Sequence, residues 1–284
     1  MSANNAVIHE HTVPVCYLAN FGIHGNQGRR SILYYHNKLD GNSGVSGVVS
    51  FPVEKYFYDI ENAREYEQII EKFYAKVEGD LSLLLKAIIN SVIIDPKSRK
   101  VPKVQLTSEQ KDLISAHLAM LRTRTRAFRD FYKDIYLQLK NGFPFAQIPY
   151  YDEKDFKRLH LMEIANFKMS NFYANLVNDR NWAFLINHTD IPFITSDNPV
   201  VIIDNRKTKK GSISPASPEV TLVLSITPNI AIEIYDRTIL KADFSYFDIY
   251  QKKNICWYNR QIYEQSTRFV FSNASIQATE YKRR

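Results

Sequence analysis

Five segments beyond Arg180, "WAFLI", "PFIT", "VVIID", "EVTLVLSI" and "IAIEIYD", are almost continuously apolar. A strand with one face in water alternates apolar and polar residues, so runs of this kind predict a sheet covered on both faces. The cover has to come from the same chain, and upstream the apolar positions recur at three- and four-residue spacing. From Glu61 to about Ser91 the stripe Tyr66, Ile70, Phe73, Val77, Leu81, Leu84 and Ile88 predicts an amphipathic helix, bent or divided at Gly79. "DPKSRKVPK" then breaks the pattern with two prolines. Thr107 and Gln110 have capping-box spacing, and Ile114, Leu118, Leu121, Thr125, Phe128, Tyr132, Ile135 and Leu139 predict a second helix, ended by "NGFPF". A third runs from near Asp152 to about Asn178, burying Leu159, Met162, Met169, Tyr173 and Leu176, with Asn166 in the same stripe.

At the N-terminal end "RSILYYH" (30–36) predicts a strand and "GNSGVSG" a turn before "VVSFP"; near the other end "NICWYNRQIYEQST" predicts a short helix and "RFVFS" a closing strand. The fold class is α+β: a helical middle of three main helices packed with a mixed sheet formed by N-terminal and C-terminal strands. The 284 residues read as a single domain, 1–284, with a helical lobe over 61–180 and a strand-rich lobe over 181–284.

No basic region followed by an apolar core opens the chain, and no apolar run approaches the roughly eighteen residues of a membrane span, so a soluble cytoplasmic protein with no membrane association is expected. Cys16 and Cys256 lie in apolar surroundings and read as buried reduced thiols. The net charge of +7 is concentrated: "DNRKTKKG" (204–211) carries four positive charges against one negative, the terminal "YKRR" carries three more, and the remainder is near balance.

Four segments carry groups capable of chemistry. In an extended "HEHTVPVCYLANF" (9–21), His9 and His11 fall on one side, a spacing that suits a metal or two imidazoles on one ligand. Hydrogen-bonded histidines ahead of a proline-directed turn explain the same residues. In "LRTRTRAFRDFYK", Arg122, Arg126, Arg129 and Lys133 make a basic ridge on a helix, able to follow a phosphate backbone or hold a carboxylate; a solvated face paired with Asp130 and Asp134 is the alternative. His160 and Glu163 lie one turn apart, as two ligands, an acid–base pair, or a histidine oriented at the edge of the core. "PFITSDNPV" sets Asp197 at a strand end, where a metal ligand or base is often found, although Asp and Asn before Pro also make a tight turn for structural reasons alone.

"HTVPVCYLANF" (HxVPxxYLxxF), "VEKYFYD", "LRTRTR", a Trp followed by "PFITSDNP", and "YNRQIYEQSTRFVFS" occur here in the order found in a bacterial family of unknown function, domain of unknown function 4238, which the chain resembles over nearly its whole length. The resemblance puts the family's polar motif positions on His11, Arg122, Thr123, Ser196, Asp197 and Asn198, and not on His9. Where the family usually has Gln three residues before the Arg and Pro after the Thr, this chain has Ala119 and Arg124. No reaction comes with the family.

If His11, Arg122, Asp197, His160 and Glu163 converge, they make a base or metal ligand, an anion clamp and a carboxylate. That set suits metal-assisted or acid–base cleavage of a phosphodiester, with magnesium or manganese as the implied cofactor, better than acyl transfer, since no GxSxG motif is present. Neither a Walker loop nor a dinucleotide-binding fingerprint occurs. The leading expectation is therefore an RNA- or DNA-acting enzyme, an effector in bacterial defence, with Arg126, Arg129, Lys133, Arg206, Lys207, Lys209 and Lys210 contacting nucleic acid. The competing expectation is a non-catalytic module that binds nucleic acid or a protein partner and whose motif residues are structural.

Overall fold

The computed structural model describes residues 9–51, 53–55, 57–58, 69–92, 106–143, 147–208 and 214–277. The expected helix start at Glu61–Tyr66, the "DPKSRKVPK" break, Lys209, Lys210 and the "YKRR" tail lie outside them, and of His9 only the backbone is described. The chain opens with a strand, β1 (His9–His11), and Pro14 then turns it into a single helical turn, α1 (Val15–Leu18). Strands β2 (Ile32–Asn37) and β3 (Ser43–Gly47) pair antiparallel, and β4 (Val53–Lys55) returns to pair with β1. Here "GNSGVSG" departs from expectation. Gly41, at φ 76°, completes the reversal so early that Ser43–Gly47 is already strand, and Val48–Ser50 is a 3-10 turn.

Helix α2 (Ile69–Val92) runs unbroken through Gly79. The second expected helix is two, α3 (Ser108–Thr123) and α4 (Arg126–Gly142). Between them Thr125 leaves the helical region and accepts the Phe128 N–H on its hydroxyl, which starts α4 afresh. A capping box joins Thr107 and Gln110 at the start of α3, as their spacing predicts. The third is also two, α5 (Glu153–Asn166) and α6 (Lys168–Asn178), divided by Phe167 in the left-handed region at φ 55°. That break turns the face of α5, so Asn166 and Met162 are exposed rather than in the core.

The apolar runs become β5 (Asn181–Asn187), β6 (Thr195–Ser196), β7 (Val200–Asp204), β8 (Val220–Thr227) and β9 (Ile230–Tyr235). They are followed by β10 (Ser245–Ile249), α7 (Lys252–Gln265) and β11 (Phe269–Ser272). Among the described residues one sheet has the order β10-β5-β9-β8-β7, antiparallel except where β10 lies parallel to β5; the other main sheet, β3-β2-β11-β6, mixes N-terminal and C-terminal strands. The fold is α+β.

Both faces of the five-stranded sheet are covered. On one, Leu81, Leu85 and Ile88 of α2, Ile114, Leu118 and Leu121 of α3, and Tyr173 and Val177 of α6 cluster with Trp182, Phe184, Leu222, Leu224, Ile232 and Ile234. On the other, Ile255 and Ile262 of α7 pack on Leu185, Ala231 and Val223. Each such side chain contributes roughly 1.5–3 kcal/mol when fully withdrawn from water, so the two clusters hold α7 and the helical middle on opposite sides. Among the described residues no helix is long and apolar enough to cross a membrane.

Candidate functional site

The motif segments of the sequence meet in space through their framework atoms. Tyr17, Leu18 and Phe21 of the opening segment are fully buried, and the Tyr17 hydroxyl lies 2.7 Å from Thr195 Oγ1 and donates to the Ser225 carbonyl at 2.6 Å. "HTVPVCYLANF" is thus bolted to "FITSD". Cys16, beside it, has its thiol pushed up to about 12 by burial, and neither cysteine forms a disulfide.

Arg122 reaches from the end of α3 to the turn after β6, where Nη1 donates to Asn198 Oδ1 at 3.0 Å and to the Val200 carbonyl at 3.1 Å. Asn198 passes the link on to the Gln265 carbonyl of α7 at 2.9 Å. Asp197 is buried, and its two oxygens accept the main-chain N–H groups of Thr267 (2.9 Å), Arg268 (2.6 Å) and Phe269 (2.9 Å). Burial pushes its carboxyl up to about 6, against those three N–H groups and the Lys38 ammonium, which favour the ionised form. The carboxylate closes the loop that leads into β11.

His11 meets neither Asp197 nor Arg122. Its carbonyl accepts Arg124 Nη2 at 2.6 Å, and its imidazole is lowered to about 4 by burial and by Arg124 and Arg29. Arg124 is the residue that motif spacing did not single out. It is 2 % exposed, donates from Nε to Tyr58 Oη (3.2 Å) and from Nη1 to Glu78 Oε1 (2.9 Å), and lies 4.0 Å from the centre of the Tyr74 ring. Burial alone would lower its pKa, but Tyr58, Glu78 and Tyr74 together raise it, so the charge is held. The break at Thr125 is what aims it inward.

His160 and Glu163 do not form a pair. His160 is fully buried, with Nε2 donating to the Thr123 carbonyl at 2.7 Å and Nδ1 accepting Arg129 Nε at 3.3 Å. Its pKa is lowered to about 3 by burial first and the Arg129 charge second. Glu163 instead accepts the Met169 N–H at the start of α6. No hydrogen bond or ion pair among the described residues joins any two of His11, Arg122, Asp197, His160 and Glu163; the polar partners of each belong to other parts of the fold.

The basic ridge is also largely dissolved. Arg129, expected in solvent, is 6 % exposed, because the second helix restarts at Thr125 and its first turn faces inward; the guanidinium lies 3.8 Å over the Phe57 ring and donates to the Phe57 carbonyl. Burial lowers it to about 10. Arg126 pairs with Glu54 (3.2 Å) and Asp130 (3.5 Å), Lys133 with Glu153, and Arg206 folds back on Asp204 at 2.9 Å. Lys207 is exposed.

An open cleft of about 330 Å³ lies over this framework, between Thr12 just after β1, Glu54 of β4, Arg126 and Asp130 of α4, Asp197, and Thr267 and Arg268 ahead of β11. Its charges are of both signs. Arg268 is exposed at the rim, its guanidinium 4.6 Å from the Phe269 ring centre. Among the described residues no three His, Cys, Asp or Glu side chains come together to hold a metal ion, so the magnesium or manganese expectation finds no ligand set there.

The His160 environment sets a pH dependence. Its folded pKa lies below the unfolded value of 6.5, so its contribution is fully present above that value and is lost as pH falls towards 3, because the unfolded chain takes up a proton the folded chain refuses. By about pH 4.5 the loss is on the order of 3 kcal/mol. Asp197 and Glu233, whose carboxyls are raised, act in the opposite sense over the same range. The difference in urea-unfolding free energy between wild type and His160→Asn isolates the term: it should shrink by that amount from pH 7.5 to about 4.5. A gap that stays constant with pH would show that His160 protonates in the folded state.

Comparison with known families matches one family model, Protein of unknown function (DUF4238), over residues 9–275. No curated protein and no solved structure matches the chain.

Proposed function

The chain belongs to the DUF4238 family of proteins of unknown function, and we propose that it is a non-catalytic, cytoplasmic protein-binding module whose motif residues form a frame and whose open cleft takes a peptide segment bearing charges of both signs. The observation that carries this reading is Asp197. Its carboxylate is committed to three main-chain N–H groups, whereas the cleft beside it presents Arg126 and Arg268 together with Glu54 and Asp130. A general base needs a lone pair within reach of the proton it removes. The lone pairs of His160 and Asp197 already face donors of the fold. A phosphate-tracking surface needs unpaired cations, and Arg126, Lys133 and Arg206 are paired with carboxylates of their own chain while Arg129 is buried. Arg268, exposed at the rim and in no ion pair among the described residues, and the half-exposed Glu54 and Asp130 carboxylates, which share the single Arg126, suit a polar protein segment better, giving specificity through complementary pairs.

Protein incubated with tRNA and plasmid DNA, with and without magnesium or manganese, is expected to leave both intact. Peptides selected on it from a random display library are expected to lose binding to Arg268→Glu, an exchange at an exposed position that leaves Tm unchanged. Nucleic-acid cleavage that disappears in a folded Asp197→Asn protein would overturn the reading. So would selected peptides that bind Arg268→Glu and Glu54→Lys as well as they bind the wild type.

A further inference from the structure

A second cavity, of about 370 Å³, opens on the α7 side of the five-stranded sheet, away from the cleft. Its walls are Tyr235 of β9, Phe247 and Asp248 of β10, and Asn254, Trp257 and Tyr258 of α7, with Leu185 and Ile249 beneath; the Asp248 carboxylate is paired with His188 at 2.7 Å. The Trp257 and Tyr258 rings stand nearly perpendicular, at 81° with centres 4.9 Å apart, so one presents a face where the other presents an edge. Trp257 and Phe247 are 40 % and 44 % exposed, too much for core side chains of their size on a covered sheet face. No Lys or Arg lines the cavity.

Behind the two tyrosines lies Glu233, 3 % exposed in the middle of β9. Tyr258 donates to one carboxylate oxygen at 2.6 Å and Thr221 to the other at 3.1 Å. Tyr235 also bonds to it. The groups acting on this carboxyl are hydroxyls, none of them a cation, and burial pushes it upward. A buried carboxyl without a positive partner is costly unless it is protonated or a positive charge comes within reach.

We propose that this cavity is a binding site for an organic ammonium group, held by the aromatic rings of Trp257, Phe247, Tyr235 and Tyr258 and by the field of the Glu233 carboxylate transmitted through the two tyrosine hydroxyls. Ring faces carry negative potential and attract a desolvated cation, most strongly for Trp. A carboxylate that accepts bonds from the tyrosine hydroxyls makes those rings more electron-rich, which strengthens the same attraction. An alkylammonium fits the wall chemistry better than a metal ion, because the wall offers one carboxylate, already paired with His188, and one amide, Asn254, short of the ligand set a metal ion requires. The group is carried either by a small free amine or by a methylated lysine side chain of a protein, and the inference does not depend on the reading of the cleft.

The protein has two tryptophans, and Trp182 is fully buried in the opposite core, so the Trp257 indole N–H resonance reports the cavity with an internal control. Choline, its uncharged tert-butyl isostere, and short peptides with lysine or trimethyllysine are titrated while both resonances are followed. The site is expected to give a saturable shift of Trp257 but not Trp182 with the ammonium ligands and none with the isostere. Phe247→Ala, at an exposed position, and Glu233→Gln should each weaken binding by about tenfold, the change expected for loss of one cation–ring face or of the charge behind it. Tighter binding of the trimethyllysine peptide than of choline assigns a protein source, and the reverse a free amine. An isostere that shifts Trp257 equally, or the absence of saturation with any ammonium, overturns the proposal.

Discussion

Arg124→Ala should lower the folding free energy by about 3–5 kcal/mol, the loss typical when one partner of a buried, hydrogen-bonded ion pair is removed. The guanidinium connects three parts of the chain: the His11 carbonyl in β1, Tyr58 beyond β4, and Glu78 in α2. Without it the part-buried His11 carbonyl keeps only the longer bond from the Tyr58 hydroxyl, at 3.3 Å, and Glu78 keeps a charge without its Arg124 partner, although that side chain is 25 % exposed and relaxes towards solvent. Arg124→Lys should recover only part of the loss, since one ammonium replaces a planar fork whose three nitrogens serve three acceptors. Urea unfolding measures both, and an Arg124→Ala protein within about 1 kcal/mol of wild type would mean that the three contacts contribute little beyond a surface pair.

The second large effect is expected at Asp197. Asp197→Ala removes the acceptor of the part-buried N–H groups of Thr267, Arg268 and Phe269, and at the lower end of about 1–3 kcal/mol for each donor, because the open cleft admits water, a total of about 3–4 kcal/mol follows. Asp197→Asn should be nearly as damaging, because its amide turns a donor towards at least one N–H. A catalytic Asp197 behaves differently: the Asn variant would keep the stability of the wild type and lose activity alone.

These two residues also mark how far the sequence could be read. Periodicity located the helical middle and the covered sheet because burial follows side-chain polarity, and the Thr107/Gln110 box and the Gly/Pro stops are local chemistry. The breaks at Thr125 and Phe167 were not legible. Thr125 sits in phase with the apolar stripe, so its role as a new cap emerges only once Arg124 finds its acceptors across the fold, and Phe167 is a bulky residue held at positive φ by its surroundings. Strand β10 was missed because Tyr246 and Phe247 are followed by Asp248, and its pairing with β5 is parallel and distant in sequence. "FITSDNP" and "HTVPVCYLANF", singled out separately in the sequence, do touch, since Tyr17 and Thr195 meet. The partners of the polar atoms were beyond reach of spacing. A carboxylate accepting three main-chain N–H groups and a carboxylate facing a substrate are written with the same letter. Arg268, at the rim of the cleft, was visible only as a residue inside "STRF" between a helix and a strand.

The claim that the family motif is a frame is tested most directly by amide hydrogen exchange at Thr267, Arg268 and Phe269. The account predicts that these three amides, although they belong to a loop beside an open cleft, exchange slowly in the wild type and lose that protection in Asp197→Ala. Exchange at the rate of unprotected loop amides in the wild-type protein would mean that the Asp197 carboxylate is free to face the cleft, and would return it to the role of a reactive group.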